Sequence, residues 1–379
     1  MTTQPLSRDI FQQQGVRCPM CLTEFRIDDQ KQELVGPDNL PTQAHLAGEN
    51  VDKRHERLFR SRRRCPGSEG STEHFLPYFY ADPDPIVLGA VGVRGTGKTH
   101  LLAAMVSQLT DPQIQDQLGI VVNAVDPLLH AEFHNRFVKP FIVDRQELSR
   151  TPIATYVLAV DMFEITDTDG SRFTLVLFDV DGESLAGPEY TLNFLVVANA
   201  LMFVVDPDQI RGLTLNGSGT RGGDRSFEVV VQRVQRSRRT PGKQYTHLPT
   251  AVVVAKADKL TGRGHGLADR WMRGATPPAE ELDPRLLAEE SEDVWAYLSV
   301  FGAQRWLDPA RRLAPATLHF ASAAGTEPHS PAGGESVFPE SGFRQIRVLR
   351  PLLALLAAHG VAIRGWEQQA PEPGRRAAR

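Results

Sequence analysis

The chain has 379 residues, 41% of them hydrophobic and 23% charged, which suits a soluble protein with one large α/β domain and an appended module. A formal net charge of −4 excludes a global electrostatic attraction to nucleic acid or an acidic membrane, and the basic runs at 60–64 and 236–239 read as solvated faces. Three cysteines are too few for a disulfide framework, no basic start followed by an apolar run opens the chain, and the apolar stretches 195–205 and 351–358 fall short of the ~20 residues of a membrane helix. The expected setting is cytoplasmic, with no transmembrane segment and no specific nucleic-acid partner.

Residues 1–80 are polar, rich in Gln, Arg and Asp, and hold all three cysteines; they are expected to form a separate N-terminal module. From Pro85 a strand and helix alternation begins, giving a main domain over 81–364, and the Pro, Arg and Ala rich tail 365–379 is predicted to be disordered. Residues 86–91 read as a buried strand and 99–109 as a helix, with Leu101, Leu102, Met105 and Leu109 at helical spacing. A second helix is predicted over 127–141. Strands at 156–165 and 173–178 flank the Asp169-Gly170 turn and should form a hairpin. Further strands are expected at 201–205, 251–255 and 316–321, and helices at 227–238, within 279–306 and at 345–358. Residues 212–223 are a loop too polar for the core. The alternation implies a three-layer α/β sandwich: a mostly parallel sheet covered on both faces, with one antiparallel hairpin.

The strongest motif is Gly92-Val93-Arg94-Gly95-Thr96-Gly97-Lys98-Thr99, which fits G-x-x-x-x-G-K-[ST] between a predicted strand and a predicted helix. With average glycine usage near 7%, a chance match in a chain of this length is on the order of 1%. Glycines let backbone N–H groups turn around an anionic phosphate, and the helix N-terminus beginning near Thr99 and His100 adds partial positive charge. Lys98 is placed to reach β- and γ-phosphates and the Thr99 hydroxyl to coordinate Mg²⁺. Three later segments follow in order, each at the end of a predicted strand: Asp179-Val-Asp-Gly182, Ala255-Lys256-Ala257-Asp258 and Ser322-Ala323-Ala324. A carboxylate at Asp179 suits Mg²⁺ held through water, and the Gly182 N–H suits the γ-phosphate.

This order resembles the TRAFAC clade of P-loop GTPases over residues 85–360. The long insert before the hairpin, the Val204-Val-Asp-Pro207 segment and the cysteine-bearing N-terminus are most similar to the Double-GTPase domains of bacterial conflict systems. The resemblance implies a P-loop NTPase fold, GTP or GDP as ligand with Mg²⁺, slow GTP hydrolysis, a conformational switch, and an unidentified effector protein or partner GTPase. It places Lys256 along the base, Asp258 on the guanine edge, and the Ser322-Ala323 turn near the guanine carbonyl. Two departures stand out: Ala255 replaces the Asn or Thr that ties the base loop to the P-loop, which implies reduced affinity, and Glu183 stands where relatives carry a water-orienting Gln. Arg94 reads either as a cis arginine finger or as a solvent-facing side chain. The switch threonine is Thr151 or Thr155, with Pro152 favouring Thr151. A non-hydrolysing nucleotide-binding scaffold and an ATP-specific P-loop ATPase are the competing readings.

In the N-terminal module, Cys18-Pro-Met-Cys21 has zinc-knuckle spacing and Cys65-Pro66 resembles the second half of a zinc ribbon. His74 or His55 would complete a Cys₃His set; without a fourth ligand the module would be metal-free. His130 and His134, at helical spacing, read as surface or core residues because no Glu of a metalloprotease helix lies between them.

Overall fold

The computed structural model describes residues 16–18, 21, 23–26, 34–36, 53, 61–67, 74–78, 80, 84–93, 95–149, 157–181, 195, 197–210, 225–238, 245–262, 266–273, 282–330 and 335–366. The chain opens with an arm of short strands: β1 (Val16–Arg17), β2 (Glu24–Phe25), β3 (Leu34–Val35), β4 (Arg62–Arg64) and β5 (Phe75–Pro77). β1 and β2 pair antiparallel, and β3, β4 and β5 form a separate antiparallel sheet.

The main body follows as β6 (Ile86–Gly92), α1 (Lys98–Leu109), α2 (Pro112–Leu118), β7 (Val121–Ala124), α3 (Pro127–Phe133), β8 (Val157–Thr166), β9 (Arg172–Asp181), β10 (Ala200–Val205), α4 (Arg225–Arg238), β11 (Thr246–Val254), α5 (Gly266–Met272), α6 (Pro284–Val300), α7 (Asp308–Arg312), β12 (Leu313–Phe320) and α8 (Arg350–Ala358). Its sheet has seven strands in the order β12-β11-β10-β6-β9-β8-β7. The first five run parallel, and β8 and β7 add antiparallel at one edge. The predicted α/β class, the mostly parallel sheet and the hairpin are therefore present.

Two-residue periodicity explains the three layers. Ile86, Leu88 and Ala90 of β6, Met202 and Val204 of β10, and Ala251 and Val253 of β11 face a core shared with α1 and α8. Val87 and Val91, Leu201 and Phe203, and Val252 and Val254 face the opposite core, shared with α4, α5 and α6. Both faces are covered, so these strands read as continuous apolar runs. Leu101, Leu102, Met105 and Leu109 of α1 are all buried, and each contributes about 1.5–3 kcal/mol relative to exposure. The hairpin turn forms as its residues dictate: Gly170 takes φ 79, and the Asp167 carboxylate accepts the N–H groups of Asp169 at 3.0 Å and Ser171 at 2.8 Å.

Two predicted helices are corrected. Beyond α3 the backbone widens into a π-helix over His134–Val143 with Pro140 inside it. Proline has no N–H and crowds the carbonyl four residues earlier, so an α-helical ladder across it is disfavoured. The last helix begins at Arg350 and not at residue 345, because Ile346 pairs with Ser322 and Arg347 has φ 57. Among the described residues no helix is long and apolar enough to cross a membrane. The loop 212–223, His55 and the tail 367–379 lie outside the described residues.

Candidate nucleotide-binding site

β6 ends at Gly92, and the loop that follows turns directly into α1. Gly95 and Gly97 adopt φ of 82 and 88, a region that a side chain at either position would strain. A Cβ on Gly92 would sit 2.9 Å from the Val204 carbonyl oxygen, so this glycine is needed for close approach to β10. Thr96 is buried and donates its hydroxyl to the Val93 carbonyl at 2.9 Å, closing the loop from inside. Gly97 is the N-cap of α1, where no side chain caps the helix and no acidic residue sits in the first turn. The first-turn N–H groups, including those of Thr99 and His100, therefore face the loop as an anion site.

Lys98 lies under this loop. Its Nζ donates to the Gly92 carbonyl at 2.6 Å and lies 4.0 Å from Asp179 Oδ1. The Thr99 hydroxyl donates to Asp179 Oδ2 at 2.7 Å. Asp179 is delivered by register: β9 pairs parallel with β6, and Asp179 stands opposite Ala90. The two residues read as Mg²⁺ donors thus meet although they are 80 positions apart.

The second half of the site is built at the ends of β11 and β12. Lys256 takes φ 49, which turns its side chain back over the P-loop, where Nζ donates to the Gly95 carbonyl at 2.7 Å and to Asp206 Oδ2 at 2.7 Å. The tie between the loop after β11 and the loop after β6 is thus made by Lys256 itself, beside a buried Ala255. Asp258 Oδ1 accepts the Ser322 hydroxyl at 2.5 Å, and Ser322 Oγ accepts the Gly325 N–H at 2.8 Å. Gly325 has φ 72, and a Cβ there would lie 2.8 Å from the Arg344 carbonyl. Burial pushes the Asp258 carboxyl above the usual range, and the Ser322 hydrogen bond opposes that shift.

Between these halves lies a cavity of about 290 Å³, lined by Gly97, His100, Lys256, Asp258, Ser322, Ala323 and Phe338 among others. It sits at the lower end of the size range of small-molecule pockets. His100 forms one wall: its Nε2 accepts the Leu148 N–H at 3.0 Å, and its ring meets Phe141 edge-on at 4.8 Å. Burial lowers the His100 pKa to about 4, and Lys256 adds to the depression while Glu147 opposes it. The ring is neutral near pH 7, with its proton on Nδ1.

Of the sequence-derived site residues, Gly97, His100, Lys256, Asp258, Ser322 and Ala323 line the cavity, while Gly92, Gly95, Thr96, Lys98, Thr99 and Asp179 lie outside its lining, in or against the loop after β6. Arg94, Thr151, Thr155, Gly182 and Glu183 lie outside the described residues. Sequence reasoning missed the role of Asp206, which anchors Lys256 and also accepts the Asp208 N–H at 2.9 Å. Its signal was an Asp-Pro pair directly after an apolar strand, the pattern of an N-cap. It also missed Phe141 and Phe338, which no local motif marks.

The second cluster lies in the arm, where the Cys18, Cys21 and Cys65 sulfurs and a His74 ring nitrogen fall within 4.8 Å of one another. His130 instead pairs with the buried Asp161 at 2.5 Å, and that hydrogen bond raises its pKa.

No protein-family model matches this chain, and no curated protein matches it. Among solved structures, the chain is similar to the S. cerevisiae Ski7 GTPase-like domain, solved bound to GTP, at 15% identity and a TM-score of 0.34. That match covers 74% of this chain and 51% of the other, so the chain spans about half its length. It is also similar to the mammalian SRP receptor at 14% identity and a TM-score of 0.26, covering 62% of this chain and 91% of that one.

Proposed function

We propose that the chain is a Mg²⁺-dependent GTP-binding protein that hydrolyses GTP slowly to GDP and phosphate and acts as a conformational switch. The observation that carries this reading is the pairing across one cavity of a phosphate loop with Lys256, Asp258 and Ser322. The loop recognises any nucleoside polyphosphate. Asp258, held by Ser322, presents carboxylate oxygen to a base edge that offers two donors, which guanine does and adenine does not. Lys256, fixed at both Gly95 and Asp206, keeps its aliphatic stem beside the slot.

The donor set near the phosphate loop fits a hard divalent cation, because Thr99 and Asp179 bring two oxygens together at 2.7 Å. Bound there, Mg²⁺ would be held by these two residues and would offset charge on the phosphates. Lys98 exchanges the Gly92 carbonyl for phosphate oxygens, and the first-turn N–H groups of α1 hold the β-phosphate. The resemblance places Glu183 where relatives carry a water-orienting Gln, a carboxylate that would repel a γ-phosphate, which is in keeping with slow turnover; Gly182 and Thr151 are read as the contacts that sense that phosphate, and Arg94 as a donor to transition-state charge. The resemblance to Double-GTPase domains extends the reading to a bacterial conflict system, with the arm as a docking element for an effector or a second GTPase.

The test is competition against fluorescent GDP on the purified chain. GTP and GDP should displace the probe and ATP should not. Asp258→Asn should lower guanine affinity by about 100-fold, the size of one or two charge-assisted hydrogen bonds, and should gain affinity for xanthine nucleotides. Equal competition by ATP, or loss of GTP with no gain for xanthine, would remove the base assignment.

A further inference from the structure

We propose that Cys18, Cys21, Cys65 and His74 form a closed tetrahedral S₃N site for one structural zinc ion, which joins the two small sheets of the arm. The geometry carries the assignment. Cys18 Sγ lies 3.2 Å from His74 Nε2, Cys21 Sγ lies 3.5 Å from Cys65 Sγ, and all four donors fall within 4.8 Å of one another. A tetrahedron with Zn–S of ~2.3 Å and Zn–N of ~2.0 Å has edges of about 3.5–3.8 Å, so two of these separations are already near or inside that length and the widest need close by about 1 Å to hold one ion. The Cys21 and Cys65 sulfurs, 3.5 Å apart, are far outside the ~2.05 Å of a disulfide, and none of the three cysteines is disulfide-bonded.

The backbone around the sulfurs is shaped for thiolate. The Cys21 N–H points to the Cys18 sulfur, and the Gly67 N–H to the Cys65 sulfur. Gly67 is where it is because nothing larger fits: a Cβ there would lie 2.2 Å from Thr23 Oγ1 and 2.8 Å from Cys21 Sγ. Cys18 and Cys65 are buried, which leaves no open coordination position for substrate on their side and favours a structural role over a catalytic one. Three soft sulfurs and one imidazole select zinc over the hard cations suited to Thr99 and Asp179.

The topology says what the ion does. Cys18 and Cys21 lie in the connection between β1 and β2, whereas Cys65 and His74 flank the connection between β4 and β5. Strands of two or three residues bury too little to hold together alone, and a cross-link between positions 44 residues apart supplies the missing restraint. The arm in turn meets the main body where Arg62 pairs with Asp126, the N-cap of α3, at 3.4 Å.

Metal analysis of the purified full-length chain should give about one zinc per molecule. Ellman's reagent should find the three thiols unreactive until zinc is extracted with a mercurial or a strong chelator. Co²⁺ exchanged into the site should show the intense visible d–d bands of a tetrahedral ion with sulfur-to-metal charge transfer. Cys65→Ser and His74→Ala should each lower zinc occupancy at least several-fold while fluorescent-GDP binding persists, so this site and the nucleotide site fail independently. Three reactive thiols with negligible zinc would overturn the proposal, as would an octahedral Co²⁺ spectrum, or full zinc retention by His74→Ala with an unchanged cobalt spectrum.

Discussion

His100 stands one residue past the phosphate-loop threonine and is held on three sides. Leu148 donates to its Nε2, Phe141 packs on its edge, and Lys256 stands near enough to disfavour its charged form. Burial puts its folded pKa at about 4 against an ordinary 6.5. The unfolded chain therefore binds the extra proton between those values, and stability that is fully present above pH 6.5 declines as the pH falls toward 4. The full loss is at most about 3–4 kcal/mol, from 1.36 kcal/mol per unit. His100→Gln keeps an acceptor for Leu148 and cannot titrate, so urea unfolding from pH 7 to pH 4 should show a shallower decline for the variant. Parallel curves would place the acid sensitivity elsewhere. His100 was named from its position after Thr99, but its wall was invisible in sequence, because Phe141, Leu148 and Lys256 all lie far from it along the chain.

At the scale of elements, legibility followed burial pattern. β6, β10 and β11 were readable because strands covered on both faces are continuous apolar runs, and α1 because one motif and one periodicity agree; β12, at the other sheet edge, is buried through Leu318, His319 and Phe320 at its end. β7 was not, since it is four residues long, lies at the sheet edge and leaves Val121 53% exposed. The arm strands were unreadable for the same reason: two or three residues cannot display alternation. The π-helix was read as α because its buried Phe137, Val138 and Phe141 keep helical spacing, and only Pro140 marks the change. That segment matters to the site, since Phe141 on it is fully buried against His100, Phe338 and Phe343. Phe141→Ala should lower stability by about 3–5 kcal/mol, read as a shifted denaturant midpoint at unchanged slope. It should also loosen the His100 wall and weaken GDP binding. A loss below 1 kcal/mol would mean that the cluster collapses around the gap.

Across the whole molecule, the parallel run of β12, β11, β10, β6 and β9 brings every strand-end motif to one edge of the sheet. β6 lies at the switch point: the chain first builds β7, β8 and β9 to one side and then β10, β11 and β12 to the other, and ligands of open α/β sheets bind where such reversals leave a crevice. The loop after β6 and the loop after β11 are bridged there by Lys256. A ligand that fills both halves ties the two wings of the sheet and must stabilise the fold by mass action, about 2.7 kcal/mol at a hundredfold excess over Kd. GDP with Mg²⁺ should therefore raise Tm by several degrees. Lys98→Ala should abolish the shift, because its Nζ is the one cation buried beneath the phosphate loop among the described residues. Cys65→Ser should retain it, even if the arm melts earlier in a separate transition, because none of the described arm residues lines the cavity. A shift lost equally in both variants would mean that the arm and the main body fold as one cooperative unit, with the cysteine cluster supporting the cavity through the Arg62 and Asp126 contact.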